Sequence, residues 1–143
     1  MLKIFFDASA LFSALYSATG GSRQLIIFVK MEKIIGVTSQ TVTEELEANI
    51  AKFKKISAIS LQRLITDYRL LVTEKLTELE IGPFLGMVHP KDAHVIAGGI
   101  LTGCNYLVTL DRKHLDNPSV KKKVGKIEIL SPKEMLKVIY GQK

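Results

Sequence analysis

The sequence predicts an α/β protein whose parallel sheet is covered by helices on both faces, a three-layer α/β/α arrangement. Three observations carry that prediction. Short apolar runs alternate with helix-period segments along the chain, the pattern of successive strand–helix–strand units. The run LKIFF (2–6) is almost continuously apolar, as a strand buried on both faces requires. The longest uncharged stretch, residues 93–110, reads as a buried helix followed by a buried strand. With 143 residues, 47% hydrophobic and 24% charged, the chain suits one domain, 1–143, with a sizeable core. No linker, repeat or low-complexity segment divides it.

The elements follow in order. After the strand at 2–6, ASALFSALYS (8–17) is a helix, broken by TGG at 19–21. SRQLIIFVK (22–30) is a second helix and KIIGVTS (33–39) the next strand. TVTEELEANIAKF (41–53) is an amphipathic helix with the stripe Val42, Leu46, Ile50 and Phe53, and Ser39 or Thr41 as its N-cap. Residues 58–70 form a further helix and LLVT (70–73) a strand. Gly82, Pro83 and Gly86 argue for a loop across 74–90. KDAHVIAGGILTG (91–103) reads as a helix begun by Pro90, and NYLVTL (105–110) as a strand. A loop carries Lys121, Lys122 and Lys123. KIEIL (126–130) is the last strand and PKEMLKVIY (132–140) the last helix, with Pro132 in its first turn.

Composition excludes several classes. A single cysteine, Cys104, forbids an intramolecular disulfide and a CxxC zinc site, and suits a reducing cytoplasm. Asp7 interrupts the apolar N-terminus too early for a signal peptide, and no stretch reads as a membrane span. The net charge of +6 favours polyanionic partners, nucleic acid above all, although many basic proteins bind none.

Against that basic background, four acids stand in unusual places. Asp7 directly follows the first strand and Asp111 directly follows NYLVTL, so both belong at the carboxyl edge of a parallel sheet, where ligands of such folds sit. Asp92 shares a helix face with Val95, Ile96, Gly99 and Ile100. Glu45 lies three residues after Val42 along an apolar stripe, whereas Glu44 and Glu47 point elsewhere. Taken singly each has an ordinary use: Asp7 as a cap for the helix at Ala8, Asp92 as a first-turn acid, Asp111 as a turn residue, Glu45 at the edge of its stripe. Together, with no Lys or Arg in the same stripes, they would repel one another, and a divalent cation resolves such a cluster. Carboxylates without clustered His or Cys suit a hard ion, Mg²⁺ or Mn²⁺, more than Zn²⁺. An acidic hole within a basic exterior is what metal-dependent phosphodiester cleavage requires.

These residues resemble the signature of the PIN-domain family: Asp7 within DASAL (7–11), Glu45 in TEEL (43–46), Asp92 in KDAHVIAGGI (91–100) and Asp111 in VTLD (108–111). The TGG-S-R segment and the ILSPKEML ending are similar to the VapC-like toxin branch. The resemblance covers nearly the whole chain. It implies a sheet of about five strands in the order 3-2-1-4-5 and Mg²⁺- or Mn²⁺-dependent cleavage of RNA. It also implies a homodimer and a cognate antitoxin. Asp7, Glu45, Asp92 and Asp111 carry over as catalytic, metal-holding acids, Ser9 and Thr109 as hydroxyls that orient them, and Asp116 as an outer acid. The chain departs from the pattern at His89, Pro90 and Lys91, where relatives carry further acids, and at His94 and Gly98, where small apolar residues are usual.

Other residues have ordinary explanations. His89, His94 and His114 match no metal motif and read as surface or supporting histidines. Cys104 reads as a small buried hydrophobe. TGG at 19–21 lacks the spacing of a phosphate cradle. The lysines at 121–123 read as a solvated run with RNA contact as the other use, and Asn49, one turn after Glu45, either supports it or faces solvent. Three other functions compete with a toxin ribonuclease. One is a PIN nuclease in RNA processing or decay without an antitoxin. Another is a non-catalytic RNA-binding module, for which four unpaired carboxylates have little use. The third is a response-regulator type domain, which would favour adjacent acids after strand one where KIFFDAS offers one.

Overall fold

A computed structural model describes residues 1–52 and 58–141. Its central sheet has five parallel strands: β1 (Lys3–Phe6), β2 (Ile35–Ser39), β3 (Leu71–Thr73), β4 (Tyr106–Val108) and β5 (Glu128–Leu130). Their order across the sheet is β3-β2-β1-β4-β5, as the resemblance implied. The chain winds outward from β1 in one direction and then returns to continue in the other. The strand order therefore reverses between β1 and β4, which is where a crevice opens at the carboxyl ends of an open parallel sheet.

Helices cover both faces because alternate strand residues point opposite ways. On one face α2 (Gly21–Lys30) lies over Gly36, where an added Cβ would meet Val29 Cγ2 at 2.7 Å. On the opposite face α6 (Ala93–Leu101) lies over Phe5. An added Cβ would meet Phe5 Cζ at 2.8 Å from Gly98 and Ile127 Cδ1 at 2.7 Å from Gly99. Glycine at 98, a departure from the family pattern, and at 99 thus lets α6 settle directly onto β1. Phe5, Phe6, Ile4, Leu107 and Ile129 are fully buried between these layers.

Helix starts follow their local chemistry. Asp7 caps α1 (Ala8–Tyr16), and Gly20 stands at the N-cap of α2. Ser39, rather than Thr41, caps α3 (Gln40–Ile50), its Oγ accepting from the Val42 N–H at 3.2 Å. Val42, Leu46 and Ile50 of the predicted stripe are buried; Phe53 lies outside the described residues. At the other end of the chain Pro132 opens α8 (Pro132–Tyr140) behind a Ser131–Glu134 capping box.

Three expectations are corrected. The helix expected over 58–70 is α4 (Ala58–Thr66); the chain then turns, with Arg69 at φ 61°, before β3. The loop expected over 74–90 contains α5 (Glu78–Ile81), fastened by a Thr77–Glu80 capping box, and a 3₁₀ turn at Gly82–Phe84. The loop expected to carry the lysine run is α7 (Pro118–Val124). Asn117 Oδ1 accepts from the Val120 N–H at 3.0 Å, Pro118 supplies the first-turn φ, and Gly125 ends the helix at φ 56°. Those were start and stop signals overshadowed by the charge run.

Candidate functional site

Register brings the first two site residues together. Phe6 pairs with Val108 across β1 and β4, so the residues just beyond them, Asp7 and Thr109, leave the sheet side by side. The Asp7 N–H still donates to the Val108 carbonyl at 3.1 Å. The Asp7 carboxylate accepts from the Ala8 N–H at 2.7 Å, from Thr109 Oγ1 at 2.7 Å and from Ser9 Oγ at 3.2 Å. Ser9 and Thr109 hydroxyls are themselves 3.2 Å apart. Each also receives a backbone N–H, Leu110 to Ser9 Oγ at 2.9 Å and Asp111 to Thr109 Oγ1 at 3.0 Å. Ser9 and Thr109 thus tie the end of β1 to the loop that begins at Asp111.

Asp111 turns that loop. Its Oδ1 accepts from the His114 N–H at 3.0 Å, while its Oδ2 lies 3.4 Å from His114 Nδ1. Asp92 approaches from the opposite side. A 3₁₀ turn at Pro90–Asp92 precedes α6, so Asp92 stands at the N-cap position rather than inside the helix. Its carboxylate makes no capping hydrogen bond there. Instead Asp92 Oδ2 lies 3.6 Å from His114 Nδ1. One donor atom from each of Asp92, Asp111 and His114 falls within 4.8 Å of the others. The His89 ring lies against the His114 ring at 4.7 Å between centroids.

Glu45 projects from α3 on the rim, its side chain 45% exposed. His94, two residues into α6, is buried against it, with Nε2 2.6 Å from Glu45 Oε1. The approach is not aligned as a hydrogen bond, and neither His94 ring nitrogen has another partner. Asn49 is exposed; the group set against Glu45 is His94.

Electrostatics links these acids. Burial pushes the Asp7 carboxyl above the ordinary carboxylate range, against its hydrogen bonds from Thr109, Ala8 and Ser9, and the Asp92 charge adds to the rise. Burial also raises Asp92, reinforced by Asp111 and, more weakly, Glu45; His114 and His89 oppose it. Asp92 is thus the acid that links the others: its charge raises Asp7, and it is itself raised by Asp111 and Glu45. Asp116, whose N–H donates to the Asp111 carbonyl at 2.8 Å, has its carboxylate in an ion pair with Lys121, 2.9 Å away, which also occupies one lysine of the basic run. Cys104 is buried, and burial pushes its thiol up.

Sequence reasoning passed over two histidines. His114 follows Asp111 by three residues, the spacing at which one turn folds a side chain back onto its predecessor, and this D-x-x-H pattern was the available signal. His94 had a weaker one: a polar residue inside the apolar face of α6. Beside the cluster, His89, Lys113, His114, Asn117, Ser119 and Lys123 line an open groove.

No curated protein matches the sequence. Solved structures do resemble the fold. A protein from Pyrobaculum aerophilum, PAE2754, superposes with a TM-score of 0.64 at 16% identity, covering 98% of this chain and 96% of its own. VapBC2 from Rickettsia felis, bound to a DNA fragment from its promoter, gives 0.68 at 13% identity, covering 91% of this chain and 98% of its own. DNA-bound VapBC from Salmonella typhimurium gives 0.63 at 17%, covering 92% and 99%. At such identities the likeness is one of fold. The sequence itself also matches a family model, that of the PIN domain, over residues 3–113, a span that includes Asp7, Glu45, Asp92 and Asp111. The chain belongs to the PIN domain family.

Proposed function

We propose that the chain is a divalent-metal-dependent endoribonuclease whose centre is formed by Asp7, Glu45, Asp92 and Asp111. The observation that carries this reading is the position of Asp92. An Asp at a helix N-cap ordinarily accepts a backbone N–H. Asp92 does not, and its carboxylate is set against Asp111 instead. Two carboxylates about 5 Å apart repel by about 3 kcal/mol at an effective dielectric near 20, less where water reaches them, as it does here. A cation relieves that repulsion, and a donor set dominated by carboxylates fits Mg²⁺ or Mn²⁺.

When bound, such an ion activates water and offsets charge on a phosphodiester. The chain's own groups do the rest. Ser9 and Thr109 fix the Asp7 carboxylate, and Thr109 also holds the Asp111 backbone. Asp111 keeps one oxygen on its own turn and presents the other to the centre. Glu45 stands at the rim, where His94 limits its movement. The groove bearing Lys113 and Lys123 gives a phosphate backbone a path beside the acids.

The similarity to the VapC-like branch, with two VapBC structures among those of like fold, supports a toxin role with a cognate antitoxin. Action as a homodimer in the cytoplasm belongs to the same reading and rests on the resemblance of the sequence alone. No helix among the described residues is long and apolar enough to cross a membrane. Incubating mixed RNAs with purified wild type, Asp7→Asn and Asp92→Asn, in Mn²⁺ and in EDTA, tests the activity. Cleavage should need the ion and fall by about 10² or more in each variant. Full activity in Asp92→Asn would refute the assignment; RNA binding without cleavage in wild type would favour a binding module.

A further inference from the structure

The four acids do not exhaust the centre. His114 Nδ1 lies 3.4 Å from Asp111 Oδ2 and 3.6 Å from Asp92 Oδ2. The two acids arrive from different elements, Asp92 from the start of α6 and Asp111 from the end of β4, and meet at this one ring nitrogen. The placement is built. The His114 N–H is held by Asp111 Oδ1 at 3.0 Å, which fixes the backbone that carries the imidazole. The His89 ring packs against it, and His89 is itself anchored, its Nδ1 accepting from the Lys91 N–H at 3.2 Å. A second imidazole attends the fourth acid: His94 is about nine-tenths buried, its ring nitrogens make no hydrogen bond, and its Nε2 lies 2.6 Å from Glu45 Oε1.

We propose that His114 is a nitrogen ligand of the divalent ion, alongside Asp92 and Asp111, so that the centre is a mixed nitrogen and oxygen site. This rests on the metal-centre reading above and deepens it. Imidazole is a poor partner for Mg²⁺ and a good one for later divalent ions. The chain should therefore prefer Mn²⁺ to Mg²⁺ by more than an all-carboxylate centre would. His94 contacts Glu45 and serves as a positioning residue.

Pulsed electron paramagnetic resonance of Mn²⁺ bound to the full chain reads the ligand directly. Wild type should show a strong nitrogen coupling, and labelling the histidines with ¹⁵N should move it. His114→Ala should lose the coupling and bind Mn²⁺ about ten-fold more weakly, with a smaller loss for Mg²⁺. His94→Phe should keep the coupling. Stoichiometric Mn²⁺ binding with no histidine coupling would overturn the proposal and leave the carboxylate centre standing. A coupling that survives in His114→Ala would overturn it too, because another imidazole would be its source. Wild type that binds no Mn²⁺ would refute the metal-centre reading itself. The labelled wild type gives a decision even if a variant fails to fold.

Discussion

Thr109 donates its hydroxyl hydrogen to Asp7 Oδ2 at 2.7 Å, joining the ends of two neighbouring strands whose residues lie 102 positions apart in sequence. The hydroxyl oxygen of Thr109 in turn accepts from the Asp111 N–H. One buried hydroxyl therefore orients one acid of the centre and anchors the loop that carries another.

Replacing Thr109 by Val keeps its shape and removes both hydrogen bonds. Asp7 is buried, so losing a donor should destabilise the fold by about 1–3 kcal/mol. Thr109→Ser should recover most of that loss. Urea denaturation of the three proteins in EDTA checks the order; equal midpoints for Val and Ser would show that the hydroxyl contributes nothing.

A pH dependence follows from Asp7 and Asp92. Both carboxyls are raised above their ordinary value of 3.8, so the folded chain holds these protons more tightly than the unfolded chain. Their contribution to stability is greatest at and below that value and falls as pH rises through the folded values. Asp92→Asn removes one of these burdens. In EDTA the variant should be at least as stable as wild type, with an advantage that widens as pH rises from the ordinary carboxylate value through the raised folded one. An N-cap role would predict the reverse, a loss of about 1 kcal/mol.

Mn²⁺ should stabilise wild type by about 1.4 kcal/mol at ten times its dissociation constant, a rise of a few degrees in Tm for a chain of this size. Asp92→Asn should show a much smaller rise. Thermal melts at matched Mn²⁺ concentrations make the comparison, and equal shifts would mean that Asp92 holds no ion.

Gly98→Ala sets two effects against each other. Alanine improves helix propensity by about 0.8–1.0 kcal/mol. Its Cβ would meet Phe5 Cζ at 2.8 Å, and overpacking of that kind costs about 1–3 kcal/mol. The clash should win, lowering stability by up to about 2 kcal/mol. Gly82, with open space around its Cβ position, is the control, and Gly82→Ala should not lower the melting temperature comparably.

Lys113 and Lys123 line the groove beside His114, whereas Lys121 is engaged by Asp116. Binding of single-stranded RNA, measured in EDTA so that no cleavage occurs, should weaken with salt. Lys123→Glu should reduce the slope of log affinity against log salt by about 0.7 for each phosphate that the lysine neutralised. Lys122, exposed and outside the groove lining, should matter less. Equal effects at 122 and 123 would argue for diffuse attraction rather than a bound path.

The sequence by itself determined the class of fold and where chemistry would gather. LKIFF and NYLVTL are apolar enough to be internal strands, and an acid directly after each must sit at a carboxyl edge if the strands are parallel. Cap and stop residues were equally local, so most helices were legible. Asn117, Pro118 and Gly125 marked α7 too, although the lysine run obscured it. What only the tertiary structure decided were relations between segments distant in sequence. The Phe6–Val108 register placed Thr109 against Asp7. The approach of α6 to β1, allowed by Gly98 and Gly99, brought Asp92 toward Asp111 and His94 toward Glu45. His114 gained two acidic neighbours only because a turn folded it back beneath Asp92. Periodicity and capping act over a few residues, and so can be read locally. The charge on one acid is felt by another only through distance in space, which the packing of strands and helices sets.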